Sequence, residues 1–122
     1  MWQGIDKRRF PRANYRCQVS VIRKAQKESF STQTENIGAG GICVILSKDL
    51  GKFCLLEISL YLQDGLPAVE CDARVVWVVE SKDKFDTGIE FVNIKKTDVL
   101  RIEKVVEECL KTSSNSFHNG RA

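Results

Sequence analysis

Ala68-Val69-Glu70-Cys71-Asp72-Ala73-Arg74-Val75-Val76-Trp77-Val78-Val79 is the longest alternating run in the chain, and its reading decides the fold. Val69, Cys71, Ala73, Val75, Trp77 and Val79 fall on one side; Glu70, Asp72 and Arg74 fall on the other. A period of two is the mark of a strand, in which successive side chains point to opposite faces of a sheet. Val76 and Val78 replace the polar set at the far end. The pattern therefore predicts cover on both faces there, with Trp77 in the core. Pro67 precedes the run and Lys82-Asp83-Lys84 turns the chain after it.

The same period recurs on both sides of this stretch. Tyr15, Cys17, Val19 and Val21 alternate with Arg16, Gln18 and Ser20 before a polar turn at Arg23–Lys27. Glu28–Glu35 alternates again, with Phe30, Thr32 and Thr34 as the inward set. Asn36-Ile37-Gly38-Ala39-Gly40-Gly41 is a tight bend where backbone must take a positive φ or approach something closely. Ile42, Val44 and Leu46 resume the alternation, and Ser47–Lys52 forms a loop. Leu56, Ile58, Leu60 and Leu62 mark another strand ending at Gln63-Asp64-Gly65. Asp86–Phe91 is the last, with Ile89 and Phe91 inward. Six strands with short polar connections and no βαβ rhythm predict a mainly β fold, an antiparallel barrel or sandwich.

The period then changes. Val99, Ile102, Val106 and Cys109, with Leu100, Val105 and Leu110, recur at helical spacing across Lys95–Lys111. Asn93 or Thr97 is the candidate N-cap. One amphipathic helix after a run of strands should lay its apolar stripe over a barrel opening. The domain map is thus a flexible basic arm over residues 1–14, a barrel with its helix over 15–111, and a small, polar, disordered tail over 112–122.

Composition narrows the class. The chain has 122 residues, 43% hydrophobic and 29% charged, as expected of one globular domain. No apolar run approaches the ~18 residues a spanning helix needs, and no signal-peptide core follows the N-terminus, so a cytoplasmic protein without membrane insertion is expected. Cys17, Cys43, Cys54, Cys71 and Cys109 are odd in number and contain no C-x-x-C pair. They read as buried thiols of a reducing compartment, not as a metal site. The only histidine, His118, lies in the polar tail, and no nucleophile has a base beside it, so neither an enzyme nor a cofactor is expected.

The net charge of +3 is unevenly placed. Residues 1–27 carry Lys7, Arg8, Arg9, Arg12, Arg16, Arg23, Lys24 and Lys27 against Asp6 alone, so the remainder is net acidic. A nucleic-acid binder spreads positive charge over a face. Here it is concentrated in one arm and the adjoining strand, which suits a compact anion better. Pro11 fixes its own φ and pushes Phe10 out of the helical region. In an extended segment Arg8, Phe10 and Arg12 share a side. Guanidinium forks bind phosphate oxygens bidentately and read the O6/N7 edge of guanine.

Taken together, three features resemble the PilZ domain family over nearly all of residues 5–111. The first is an R-x-x-x-R arm (Arg8, Arg12) before the first strand. The second is a D/N-x-S-x-x-G-like motif in the bend (Asn36, Gly38, Gly41). The third is a long Val/Trp strand leading to Gly88-Ile89-Glu90-Phe91 and a terminal helix. The resemblance implies a six-stranded antiparallel Greek-key barrel with one C-terminal helix, serving as a cytoplasmic bacterial receptor for cyclic di-GMP. It implies Arg8 and Arg12 as clamps on guanine and phosphate, Arg9 as a third basic contact, Asn36 against a guanine edge and Gly41 as the close-approach glycine. Gly38 departs from the pattern, which has serine there, so one hydroxyl hydrogen bond is missing. That omission costs about 0.5–1.5 kcal/mol.

Ordering of the arm on the ligand, with a signal passed to a protein partner not identified by any motif, is the expected mechanism. Gly38 supports an alternative, a degenerate module that binds no nucleotide and works through protein contacts, for example in pilus or flagellar machinery. A barrel binding single-stranded nucleic acid ranks below both, because the strands lack an exposed aromatic row and the barrel is acidic. DNA and RNA are not expected partners.

Overall fold

The alternating segments close on themselves. The computed structural model describes residues 11–121. Its elements are β1 (Arg12–Ala13), β2 (Gln18–Arg23), β3 (Glu28–Gly38), β4 (Gly41–Leu46), β5 (Leu55–Tyr61), β6 (Val69–Ser81), β7 (Lys84–Asn93) and α1 (Lys96–Arg121). The longer strands run in the order β3-β2-β5-β6-β7-β4, all antiparallel, and β4 pairs back onto β3. The result is the expected closed six-stranded barrel. β5, β6 and β7 are successive neighbours and β4 lies beside β7, a Greek-key arrangement. Closure leaves the ring without a free edge.

One face of every long strand fills the interior. Val19, Val21, Ile37, Ile42, Val44, Leu56, Ile58, Leu60, Val69, Val75 and Ile89 are all buried, and Tyr15, Phe30 and Phe91 pack against them half-buried. The buried polar residues among those described are Thr87, whose hydroxyl donates to the Phe85 carbonyl at 3.1 Å, and Thr34. The Thr34 hydroxyl donates to the Tyr15 carbonyl at 2.6 Å and accepts the Cys17 amide at 3.0 Å, so its burial leaves nothing unpaired.

Two expectations change here. In β6, Val75 lies opposite Ile89 but Trp77 lies opposite Gly88, so Val76 is an extra residue. Such a bulge reverses the parity of the residues beyond it. Trp77 is therefore 41% exposed and Val79 is exposed, while Val78 packs on the core. Trp77 is not the core residue that unbroken alternation predicts. Nor is the arm free as far as residue 14. Arg12 and Ala13 pair with Gly38 and Ile37, and Ala13 is buried.

The helix packs on β1 and β3. Ile102 and Val106 are buried, with Val105 and Cys109 beside them; Leu100 and Leu110 are exposed. It begins at Lys96, so neither Asn93 nor Thr97 is its N-cap. The Asp98 carboxylate in the first turn complements the helix dipole instead. It continues to Arg121, past the Lys111 at which the apolar periodicity ends, because no proline or glycine interrupts residues 112–119.

Arg101 fastens α1 to the loop after β5. Its Nε and Nη2 donate to the two Asp64 oxygens at 2.9 and 3.0 Å, Nη1 donates to Asp98 at 3.1 Å, and Nη2 to the Pro67 carbonyl at 2.8 Å. The Arg101 and Asp64 side chains are only 18% and 21% exposed, so water screens the pair weakly. The Arg101 hydrogen bonds hold the Asp64 carboxyl below its ordinary value, against partial desolvation. A carboxyl whose folded pKa is depressed adds stability that is complete above its unfolded pKa and is lost as pH falls through the folded one. Arg101→Ala should thus lower Tm by roughly 5–10 °C at neutral pH, the effect of about 2 kcal/mol in a domain of this size. The gap between the two melting curves should be constant above about pH 5 and narrow below about pH 4. Thermal melts followed by circular dichroism across that range check both.

Candidate functional site on the outer barrel face

Ile37, Ile42 and Ile89 point into the barrel, so the residues flanking each in its strand point out. The registers align them in two rows across neighbouring strands. One row runs Asn36, Cys43, Gly88, Trp77; the other runs Arg12, Gly38, Gly41, Glu90, Arg74. At ~4.8 Å between strands, the second row spans about 19 Å from β1 to β6. The first row is a floor of small residues ending in an aromatic wall. The second begins in a guanidinium.

Pairing of β1 with β3 carries Arg12 to the motif bend. Its Nη1 donates to Asn36 Oδ1, although 24 positions separate them in sequence. The irregularity between Thr34 and Asn36 interrupts the β3–β4 pairing at Glu35, and Glu35 accepts from Arg16 Nη2 at 3.0 Å. Glu90 accepts from Arg74, whose Nε lies at 3.1 Å. These two ion pairs engage the arginines at either flank, and Arg12 bonds a neutral amide between them.

The glycines have separate reasons. A Cβ on Gly41 would lie 2.1 Å from the Ile89 carbonyl oxygen and 3.0 Å from Glu90 Cα. The close approach at Gly41 is thus to the barrel's own backbone, a reason sufficient without any ligand. The bend over residues 38–41 does not use positive φ; among the described residues Gly51 and Gly65 are the glycines that do. The Phe91 amide donates to the Gly40 carbonyl at 2.9 Å and ties the bend to β7. Gly38 is buried between Arg12 and Gly41 in register.

Gly88 serves Trp77. A Cβ there would fall 2.3 Å from the indole Cε2 and Nε1, so the ring lies across the β7 backbone with its other side toward solvent. Beside it, Cys43 is half-buried. Burial pushes its thiol pKa up, Asp86 adds to this, and Arg12 opposes it, so the sulfur is a neutral, small part of the floor at neutral pH. Arg12, Asn36, Gly38 and Gly41 therefore come together on one surface. Arg8 and Arg9 lie outside the described residues. Cys43, Gly88 and Trp77 join the surface without having been singled out for it by sequence, because the all-apolar run over residues 75–79 gives no sign of the bulge that turns Trp77 outward.

A family model of the PilZ domain matches residues 6–108. The chain belongs to the PilZ domain family. No curated protein sequence matches it. Among solved structures, the inhibitor of motility MotI/DgrA of Bacillus subtilis is 20% identical with a TM-score of 0.72, covering 87% of this PilZ chain and 51% of its own. The PilZ domain of YcgR from Escherichia coli, solved with c-di-GMP, is 12% identical with a TM-score of 0.70 and covers 92% of this chain and 98% of its own. The MrkH–c-di-GMP complex of K. pneumonia is 20% identical with a TM-score of 0.72, covering 88% and 53%. This PilZ chain thus spans about half the length of the MotI/DgrA and MrkH chains and nearly all of the YcgR domain. At these identities the likeness shows the fold. Among the described residues, no helix is long and apolar enough to cross a membrane.

Proposed function

We propose that this PilZ domain is a receptor for cyclic di-GMP and that the outward rows of β1, β3, β4, β7 and β6 are its binding face. The hydrogen bond from Arg12 to Asn36 is the observation that supports this reading. It places a phosphate- and guanine-competent fork and an amide on one spot beside a floor with few side-chain atoms. Cyclic di-GMP presents two phosphates and two flat bases in a compact ring, so its receptor needs cations and edge donors close together with a surface on which a base can lie. Arginine supplies both charge and a planar fork, where lysine supplies only a point charge. Asn36 offers a donor and an acceptor to a guanine edge. The open side of the Trp77 indole offers a stacking partner, and Cys43 and Gly88 leave room for a base to reach it.

Arg8 and Arg9 complete the clamp in this reading. Because Arg12 and Ala13 are already paired to β3, and β1 touches α1, ligand contacts from Arg8 and Arg9 would fix the arm against the barrel. The ordered arm then carries the signal to a protein partner in the cytoplasm. Isothermal titration of the whole chain with cyclic di-GMP tests the claim, with micromolar or tighter binding expected.

One observation favours a second reading, a module that no longer binds nucleotide. Gly38 stands where the motif has serine, and glycine has no hydroxyl to offer. Wild-type protein giving no heat with cyclic di-GMP at high micromolar concentration would select that reading. If instead the site is functional, Gly38→Ser should tighten binding by roughly threefold to tenfold, the worth of one net hydrogen bond. An unchanged or weaker affinity in the same titration would show that the hydroxyl is not what is missing.

A further inference from the structure

A second surface lies between the β2–β3 turn and the loop before β5, sharing no residue with the two outward rows. It is an open groove of about 550 Å³ lined by Arg23, Lys24, Ala25, Gln26, Leu50, Cys54 and Leu55. Leu55 is 61% exposed at its wall, and Phe53 beside it is 64% exposed. Phe53 also has φ 71°, a left-handed conformation that a bulky side chain adopts only at a cost. The Phe53 amide donates to the Val75 carbonyl at 2.8 Å and the Cys54 amide to the Gly51 carbonyl at 3.1 Å, which locks that conformation. The strain holds an aromatic ring out of the core, so burial in this chain does not offset it.

The rim is positive, and its nearest carboxylates are already engaged. Glu28 is shared by Arg23 at 2.5 Å and Lys48 at 2.8 Å, Asp72 meets Lys24 at 3.2 Å, and Asp49 accepts the Gly51 amide at 2.8 Å. Lys52 sits 5.4 Å from the Phe53 ring centroid. Among the described residues Lys27 and Lys52 have no carboxylate at ion-pair distance. Arg23 Nε is buried without an acceptor. An apolar trough edged by uncompensated cations complements a chain that carries both apolar and acidic side chains.

We propose that this groove docks a short acidic, amphipathic segment of a partner protein. An apolar side chain enters between Leu50, Cys54 and Leu55, and carboxylates meet Lys27 and Lys52. The concavity favours a peptide over a bilayer, which needs a projecting apolar face. The proposal stands whether or not the outward rows bind nucleotide, and its test omits cyclic di-GMP.

Random dodecapeptides displayed on phage are selected against the immobilised full chain. The most enriched sequence is synthesised and titrated into ¹⁵N-labelled protein. Enriched sequences should combine Asp or Glu with Leu, Phe or Trp, and should shift the amides of residues 23–27 and 50–55. Lys52→Glu and Leu55→Asp, both at exposed positions, should each weaken that peptide at least tenfold while leaving the melting curve in place. Selection of peptides without acidic residues, shifts elsewhere, or no enrichment would overturn the proposal. So would binding to phosphatidylglycerol vesicles that these variants abolish while no peptide is selected, an outcome that assigns the groove to a membrane.

Discussion

Arg12→Ala is expected to weaken cyclic di-GMP binding by more than tenfold while moving Tm by no more than about 2 °C. The two halves of this expectation have different sources. Arg12 is exposed, and its hydrogen bond to Asn36 competes with water, so its loss should cost the fold no more than about 0.5 kcal/mol. Against a phosphate or a guanine edge the same guanidinium makes charge-assisted bonds worth about 1.5–3 kcal/mol, which exceeds the 1.4 kcal/mol of one decade. Arg12→Lys should recover only part of the affinity, because lysine keeps the charge and loses the fork. Isothermal titration of both variants beside their melting curves separates a binding role from a folding one. Equal affinity in wild type and Arg12→Ala would remove Arg12 from the site.

Gly41→Ala should act the other way, through the fold. Its Cβ would lie 2.1 Å from the Ile89 carbonyl oxygen, and that obstacle is backbone, with no rotamer able to move it aside. β4 and β7 must part at the Gly41–Glu90 pair, next to Ile42 and Ile89, which are fully buried. Overpacking with a side chain as obstacle costs about 1–3 kcal/mol. A backbone obstacle should bring the loss to roughly 3 kcal/mol or more, or about 10–15 °C in Tm for this size. A thermal melt decides it. A variant that melts with the wild type would show that the strands separate at little cost. Any loss of ligand binding in Gly41→Ala then reflects the damaged barrel and is no sign of contact with Gly41.

Period two was enough to find the strands because each buries one face only, and Leu56, Ile58, Leu60 and Leu62 are all buried as their spacing predicts; it left barrel and sandwich open, and the family resemblance chose the barrel. The meeting of Arg12 with Asn36 was also legible, because the two motifs named both residues; Arg8 and Arg9 lie outside the described residues. The parity change at Val76 was not. An all-apolar run gives no sign of which residue is extra, and the bulge alone turns Trp77 outward onto Gly88. For the same reason Gly88 and Gly41 look alike in sequence but serve different neighbours, one an indole and the other a carbonyl. The helix length was equally hidden, because apolar periodicity marks where a helix is packed and not where its backbone stops.

Titration of the ¹⁵N-labelled chain with cyclic di-GMP, followed amide by amide, addresses the central claim most directly. Shifts concentrated at Arg12, Asn36, Gly38, Cys43, Gly88 and the Trp77 indole N–H are the expected result. Shifts that spare these positions, with the ligand bound at another face of the barrel, would contradict it.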